Sequence, residues 1–248
     1  MSDNPASVDF GFRSVPRAAK AAMVEQVFAS VASRYDLMND LMSLGAHRLW
    51  KHRLVSLLDP RPGAMLLDLA GGSGDVGFAW RARGGGPVLL ADINPAMLGV
   101  ARRRALAAAA IASVAFLVAD AELLPLPDRS FAAVSIAFGL RNCTDKGAVL
   151  AEARRVLKPG GRFFCLEFSR LEVAALVPLY EAWSFYALPM LGRIVAGDAA
   201  SYRYLAESIR MFPDAETLAR MLTAAGFARV ATERLSGGIV AIHSGWRL

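Results

Sequence analysis

Residues Ala64 to Asp75, reading AMLLDLAGGSGD, constrain this chain more than any other stretch. Met65-Leu66-Leu67-Asp68-Leu69 carries four apolar residues and suits a strand buried within a parallel sheet. Gly71, Gly72 and Gly74 follow at once. A strand that ends in such a loop brings bare backbone up to a ligand, because glycine tolerates positive φ and has no Cβ to hold the ligand away. Val88-Leu89-Leu90-Ala91 reads as the next strand, and it ends at Asp92, where a carboxylate is placed to accept both hydroxyls of a ribose. Strand, glycine loop, helix, strand and acid, in that order, describe a nucleoside-binding crevice.

Dinucleotide dehydrogenases share this layout, so a nicotinamide-dependent oxidoreductase is one alternative. Their fingerprint is spaced G-x-G-x-x-G, whereas Gly71-Gly72-Ser73-Gly74 runs into acidic Asp75. An aspartate there faces a pyrophosphate badly and suits a cationic or phosphate-free ligand. The arrangement resembles motif I of the S-adenosylmethionine methyltransferases, whose cofactor carries a sulfonium and an amino group but no phosphate.

Alternation continues through the core: strand 65–69, helix about 75–83, strand 88–91, helix about 95–109, strand 114–118, strand 131–138, helix about 146–156 and strand 162–167. Such a pattern predicts an α/β, doubly wound parallel sheet with ligands at the C-terminal strand ends. Asp120-Ala121, just beyond the third strand, can meet the exocyclic amine of an adenine; a helix N-cap at Asp120 is the competing reading. Residues 170–212 break the period with Tyr180, Trp183, Phe185, Tyr186, Tyr202 and Tyr204, and an insertion of that length is expected to be helical and to cover the strand ends. A helix at 214–225, strands at 228–234 and 239–243 and a Gly237-Gly238 turn predict a final antiparallel hairpin at the sheet edge. At the front, residues 1–16 read as a loose tail, followed by a helix to about Ala32, the polar and aromatic stretch Ser33 to Asp40, and a helix from His47 to Leu58. The expected organisation is one domain: tail and helical lid at 1–58, cofactor core at 59–169, substrate-covering insertion at 170–212, and C-terminal helix with edge strands at 213–248.

Charge and thiols narrow the classes. The net charge of +6 is mildly basic, which favours an anionic membrane surface or nucleic acid. No dense Lys/Arg tract with interleaved aromatics accompanies it, so a non-catalytic RNA-binding protein rests on charge alone, and Arg102-Arg103-Arg104 reads as a solvated helix end. Cys143 and Cys165 form no CxxC pattern and exclude a disulfide scaffold, which fits a reducing cytosol. The apolar stretches 105–119 and 173–195 are too short or too interrupted to span a bilayer. His47, His52 and His243 have no acid or thiol at ligand spacing, so no metal is expected.

Several segments together resemble one family, the ubiquinone/menaquinone biosynthesis C-methyltransferases (the UbiE family). They are VFASVASRYDLMNDLMSLGAHRLWK (27–51), LDLAGGSGD (67–75), ADINPAML (91–98), FGLRNCTD (138–145), RVLKPGGRFFCLEFS (155–169), SYRYLAESIRMFP (201–213) and GIVAIHSGW (238–246). The glycine loop alone indicates only a methyltransferase; FGLRN, SYRYLAESIR and RYDLMND are far more discriminating. The resemblance implies the class I methyltransferase (Rossmann-like) fold of seven strands, with Gly71, Ser73, Asp92, Asp120 and Ala121 binding S-adenosylmethionine. Three positions depart from the family pattern: Ser73 for threonine, Ala137 for serine, and Ala132 for aspartate.

The same resemblance implies methyl transfer to a ring carbon of a polyprenylated benzoquinol or naphthoquinol in ubiquinone or menaquinone biosynthesis. A methyltransferase for another small molecule or for RNA shares residues 64–167 and is the alternative. A ring carbon becomes nucleophilic once the neighbouring hydroxyl loses its proton. Arg141, following the fourth strand, is the candidate to favour that phenolate, directly or through a held water, and Asn142 to orient the water or ring oxygen. A structural ion pair of Arg141 with Asp145 is the competing reading. His243 and Tyr202 are weaker candidates. The expected partners are a prenylated quinol and the inner leaflet of the membrane, touched peripherally from the cytoplasm, rather than nucleic acid. A homodimer or association with other quinone-biosynthesis enzymes is compatible with the resemblance.

Overall fold

The computed structural model describes residues 7–31, 39–40, 43–108, 111–173, 175, 177–187, 190 and 199–248. Most of the stretch Ser33 to Asp40 and part of the insertion fall outside the described residues. In chain order the elements are β1 (Ser7–Phe10), β2 (Arg13–Pro16), α1 (Arg17–Val31), α2 (His47–Leu58), β3 (Leu66–Leu69), α3 (Asp75–Ala82), β4 (Val88–Asp92), α4 (Pro95–Ala107), β5 (Val114–Val118), β6 (Phe131–Ala137), α5 (Lys146–Val156), β7 (Leu157–Phe168), α6 (Val177–Ala182), α7 (Ala199–Met211), α8 (Ala215–Ala224), β8 (Ala228–Leu235) and β9 (Val240–Trp246).

Seven strands form one sheet in the order β5-β4-β3-β6-β7-β9-β8. Strands β3 to β7 pair in parallel, and β9 runs antiparallel to both β7 and β8. All four residues of β3 are buried, as a central strand covered on both faces requires. On one face pack Trp50, Leu54 and Leu58 of α2, Val76 and Trp80 of α3, and Leu98 of α4. On the other pack Leu150 and Val156 of α5 with Leu218 and Leu222 of α8. Strand order reverses between β3 and β6, and the chain opens its crevice at that point.

Residues 7–16, expected to be a loose tail, form an antiparallel hairpin in which Val8 pairs with Val15. Gly11, at φ +59°, makes the turn. A two-stranded hairpin is marginal alone in water, and this one is held from outside. The Phe10 ring stacks on Tyr204 with centroids 4.2 Å apart, and the Phe12 amide donates to Glu207 Oε2 at 3.1 Å. Both partners lie on α7, where no local pattern announces them.

Strand β7 also begins earlier than the sequence pattern indicates, because it absorbs the Lys158-Pro159-Gly160-Gly161 turn. The Gly160 amide donates to the Arg247 carbonyl at 2.7 Å and the Arg247 amide to the Gly161 carbonyl at 2.9 Å, so the C-terminus supplies the pairing. Within the insertion, residues 170–173 are irregular, and the described elements that follow are helical: α6, a π-helical turn over Trp183–Ala187, and α7. Among the described residues no helix is long and apolar enough to cross a membrane.

Candidate active site

The chain leaves β3 through Ala70, Gly72 and Gly74, all at positive φ (+47°, +54° and +89°). Gly71 is required for space: a Cβ there would sit 2.9 Å from Leu90 Cγ and 3.1 Å from the Asp68 carbonyl oxygen. This tight loop aims the Gly72 amide at Asp92 Oδ2 (2.9 Å), while the Asn94 amide donates to Asp92 Oδ1 (2.8 Å). Both carboxylate oxygens are therefore fixed in direction, yet each keeps acceptor capacity for a further donor. Burial raises the Asp92 pKa, opposed by the Asn94 and Gly72 amides.

Asp92 stands on the wall of a cleft that Gly72, Met97, Asp120, Ala121 and Asn142 also line. No helix starts at Asp120; its Oδ1 accepts the Glu122 amide at 2.9 Å and caps a turn instead. The outer wall is α1, through Ala21, Val24 and Glu25. Bonds from outside pin that helix: Lys20 Nζ donates to the Cys143 carbonyl at 3.1 Å, Arg17 pairs with Asp145 at 3.0 Å, and Asn94 Nδ2 donates to the Glu25 carbonyl at 3.4 Å. Lys20 is only 4 % exposed, and burial, with Lys146 nearby, pushes its pKa down to about 8. Periodicity alone gives no signal that this lysine is interior.

Arg141 and Asn142 diverge. Asn142 lines the cleft, and its Oδ1 accepts the Tyr204 hydroxyl at 3.1 Å. Arg141 lies behind that wall with its side chain 4 % exposed, its Nη1 3.0 Å from Glu167 Oε2 and 2.6 Å from the Phe138 carbonyl. Its partner is thus Glu167 and not Asp145, which caps α5 and meets Arg17. Phe138 holds φ +58°, unusual for a bulky residue, so the guanidinium ties down a strained turn at the mouth of the crevice. Arg141 Nε is buried and has no hydrogen-bond partner among the described residues. Glu167 carries no signal of its own in the sequence beyond its place at the end of a strand.

Gly71 and Ser73 line a second, smaller cavity with Lys51, Asp68, Asp75 and Ala137. The sequence pattern pointed Asp75 at a cationic ligand, but two protein cations already meet it: Lys51 Nζ at 2.7 Å and Arg104 Nη1 at 2.8 Å. Burial works against ionisation here, yet Lys51 and Arg104 hold the carboxyl down at about 2. Arg104 also donates to the Ser73 carbonyl at 3.0 Å, so the last arginine of the basic cluster is part of the loop's support and not merely solvated. Asp68, which the motif reading passed over, accepts Ser135 Oγ at 2.7 Å and the Gly77 amide at 3.1 Å, and burial lifts its pKa to about 7.

The two weaker candidates sit away from this chemistry. His243 is buried with its Nε2 2.8 Å from the Ala215 carbonyl, and burial lowers its pKa. Tyr202 is buried in a cluster with Phe10, Val24 and Leu205.

Comparison with known proteins gives a consistent picture. A family model described as the ubiE/COQ5 methyltransferase family matches residues 16–247. A ubiquinone/menaquinone biosynthesis C-methyltransferase from Acidiphilium cryptum is 68 % identical over 242 residues, covering 98 % of this chain and 97 % of the relative. One of the same description from a Bradyrhizobium species is 54 % identical and covers 100 % of both chains. Among solved structures, a SAM-dependent methyltransferase from Thermotoga maritima superposes with a TM-score of 0.62 at 21 % identity, over 90 % of this chain and 99 % of that one. Another from Aquifex aeolicus gives 0.61 at 16 % identity, over 85 % and 97 %. At those identities the structural likeness concerns the fold, which is that of class I methyltransferases.

Proposed function

The chain belongs to the ubiE/COQ5 methyltransferase family, and from that premise we propose that it transfers the methyl group of S-adenosylmethionine to a ring carbon of a polyprenylated quinol. The acceptor is 2-polyprenyl-6-methoxy-1,4-benzoquinol, a demethylmenaquinol, or both. The observation that carries this reading is the cleft itself, with an oriented carboxylate, Asp92, on one wall and Asn142, fixed by Tyr204, on another.

The residues present fit a nucleoside: Asp92 keeps acceptor capacity for ribose hydroxyls, and Asp120 and Ala121 border the same space. Bound there, S-adenosylmethionine supplies an electrophilic methyl group. Asn142, its Oδ1 engaged by Tyr204, has its amide N–H donors left for the acceptor's ring oxygen. Arg141, paired with Glu167, adds positive charge behind that wall and acts on the acceptor's oxygen from there, not by direct contact. The acceptor loses its hydroxyl proton first; its ring carbon then takes the methyl group as the methyl–sulfur bond breaks to leave S-adenosylhomocysteine, and gives up its hydrogen as a proton while the ring oxygen takes a proton back, so that one proton in all is released. Helix α1 walls the cleft on its outer side through Ala21, Val24 and Glu25.

A prenylated acceptor and the net charge of +6 support peripheral attachment to an anionic inner leaflet. Flotation with anionic vesicles checks it, and protein left at the bottom of the gradient would contradict it. The activity is tested by incubating labelled S-adenosylmethionine with the two reduced acceptors carrying short prenyl chains, followed by mass spectrometry. Methylated product from either is expected, and their ratio assigns the pathway. Cofactor binding without product from either acceptor would remove the quinol and leave the methyltransferase.

A further inference from the structure

We infer that the protein meets the bilayer through one face, made by the turn of the N-terminal hairpin and one side of α7, and that its partner there is a surface of anionic phospholipid. The inference rests on the peripheral attachment proposed above and assigns it a place on the molecule. Phe12 sits at the hairpin turn beside Arg13, with 59 % of its surface exposed. Its ring stacks on Phe185 with centroids 6.1 Å apart, and the Arg210 guanidinium lies over Phe185 at 5.5 Å and over Tyr180 at 5.3 Å. On α7, Arg203, Glu207, Arg210 and Met211 stand at i, i+4, i+7 and i+8, so they share one side of the helix. Hairpin, α7 and α1 enclose an open groove, with Phe10, Phe12, Met23 and Val27 as its apolar wall and Arg13 and Arg203 as its cations.

Among the described residues Arg13 and Arg203 form no ion pair, and Glu207, the groove's acid, accepts the Phe12 amide. Two cations against one acid leave a positive excess beside exposed apolar surface, and that combination suits an interfacial contact with anionic lipid. Leu44 and Leu49, before and on α2, are exposed as well, but the arginines near them are already neutralised: Arg48 pairs with Asp40 at 2.7 Å and Arg53 with Glu233 at 2.7 Å. Tyr204 also lines the groove, and its hydroxyl donates to Asn142 in the cleft, so this face lies one side chain from the wall assigned to the acceptor. An acceptor whose prenyl chain stays in the bilayer is then delivered on the side where it reacts.

The test is cosedimentation of the protein with phosphatidylcholine vesicles, with and without phosphatidylglycerol. Wild-type protein is expected on the anionic vesicles and not on the neutral ones. Arg13→Gln combined with Arg203→Gln should weaken that binding about tenfold or more. Arg102→Gln combined with Arg103→Gln removes the same charge from exposed positions on α4 and should stay within about twofold of wild type. Phe12→Ser should cost about fivefold, and Leu49→Ser should leave binding unchanged. The exposed arginine pair decides the case if Phe12→Ser fails to fold. Equal losses from the two arginine pairs reduce the attraction to net charge, and a loss with Leu49→Ser as large as with Phe12→Ser puts the contact elsewhere. Either result overturns the inference and leaves peripheral attachment standing. So does a wild-type dimer that Phe12→Ser splits in sedimentation velocity, because the face then belongs to a second copy of this chain. Equal binding of wild-type protein to both kinds of vesicle removes the anionic lipid and the inference with it, whereas binding to neither sinks peripheral attachment too.

Discussion

On the nucleoside side of the cleft, the bond that orients Asp92 comes from Gly72, 20 residues away in sequence. On the acceptor side, Asn142 reaches Tyr204 across 62 residues, Lys20 reaches the Cys143 carbonyl across 123, and the hairpin that backs Tyr204 reaches Glu207 across 195. One side is a single βαβ unit whose turn is dictated by glycines. The other is an assembly of α1, α7, the β6 turn and the N-terminal hairpin, each holding the next. Cofactor affinity should therefore depend on a few local residues, and turnover on contacts between distant ones.

The largest expected effect breaks the acceptor side alone. Arg141→Ala should cut turnover to a hundredth or less while cofactor still binds, and should cost about 3–5 kcal/mol of stability by leaving Glu167 buried and unpaired. Adding Glu167→Gln should recover part of that stability without recovering turnover. Denaturant melts with steady-state assays decide it: near-normal turnover in either variant would reduce Arg141 to a brace for the Phe138 turn.

Next in size, Asp92→Ala should break the nucleoside side. It removes the proposed ribose acceptor and leaves the Gly72 and Asn94 amides unpaired, so cofactor affinity should fall about 100-fold by calorimetry. A change under about threefold would put the ribose elsewhere.

Each side also hides a titratable group that burial pushes far toward neutrality, the acid Asp68 in one and the base Lys20 in the other. Asp68, at about 7 in the folded protein, binds more protons folded than unfolded between its ordinary value of 3.8 and 7, so stability should fall as pH rises through that window. Lys20, at about 8, binds fewer protons folded than unfolded between 8 and its ordinary 10.5, so stability should rise as pH climbs there. Both limbs should be on the order of 1–3 kcal/mol in urea melts across pH. Asp68→Asn should flatten only the lower limb and Lys20→Met only the upper. A variant that flattens both, or neither, would mean that these groups do not titrate as separate sites.

The smallest effect sharpens the division. Tyr204→Phe removes one hydrogen bond to Asn142, worth about 1 kcal/mol, and should lower kcat about fivefold with cofactor affinity unchanged. A matching loss of cofactor affinity would merge the two sides into one unit.

Much of the nucleoside half was legible before any coordinates, because glycine and an acid at a strand end are backbone requirements written in residue type. Gly71 has no room for a side chain, Gly72 and Gly74 hold positive φ, and Asp92 stands where the second strand was expected to end. The seven strands follow for the same reason, since period-2 and period-3.6 patterns are local. Asp75 was legible as an anomaly, but its meaning was not: charge type is readable in a sequence, and its partners Lys51 and Arg104 arrive from other helices.

What the amino-acid sequence determined alone was the sheet, the glycine loop, the acid that ends the second parallel strand and, through its longer motifs, the family. Tertiary structure alone decided that residues 7–16 fold into a hairpin on Tyr204, that Arg141 pairs with Glu167 while Asn142 takes the cleft, and that Lys20 and Asp68 are shifted toward neutrality by burial. The physical reason is range. Backbone conformation and hydrophobic period are set by residues a few positions apart, whereas the solvation and the partner of a charge are set by whatever the folded chain brings beside it.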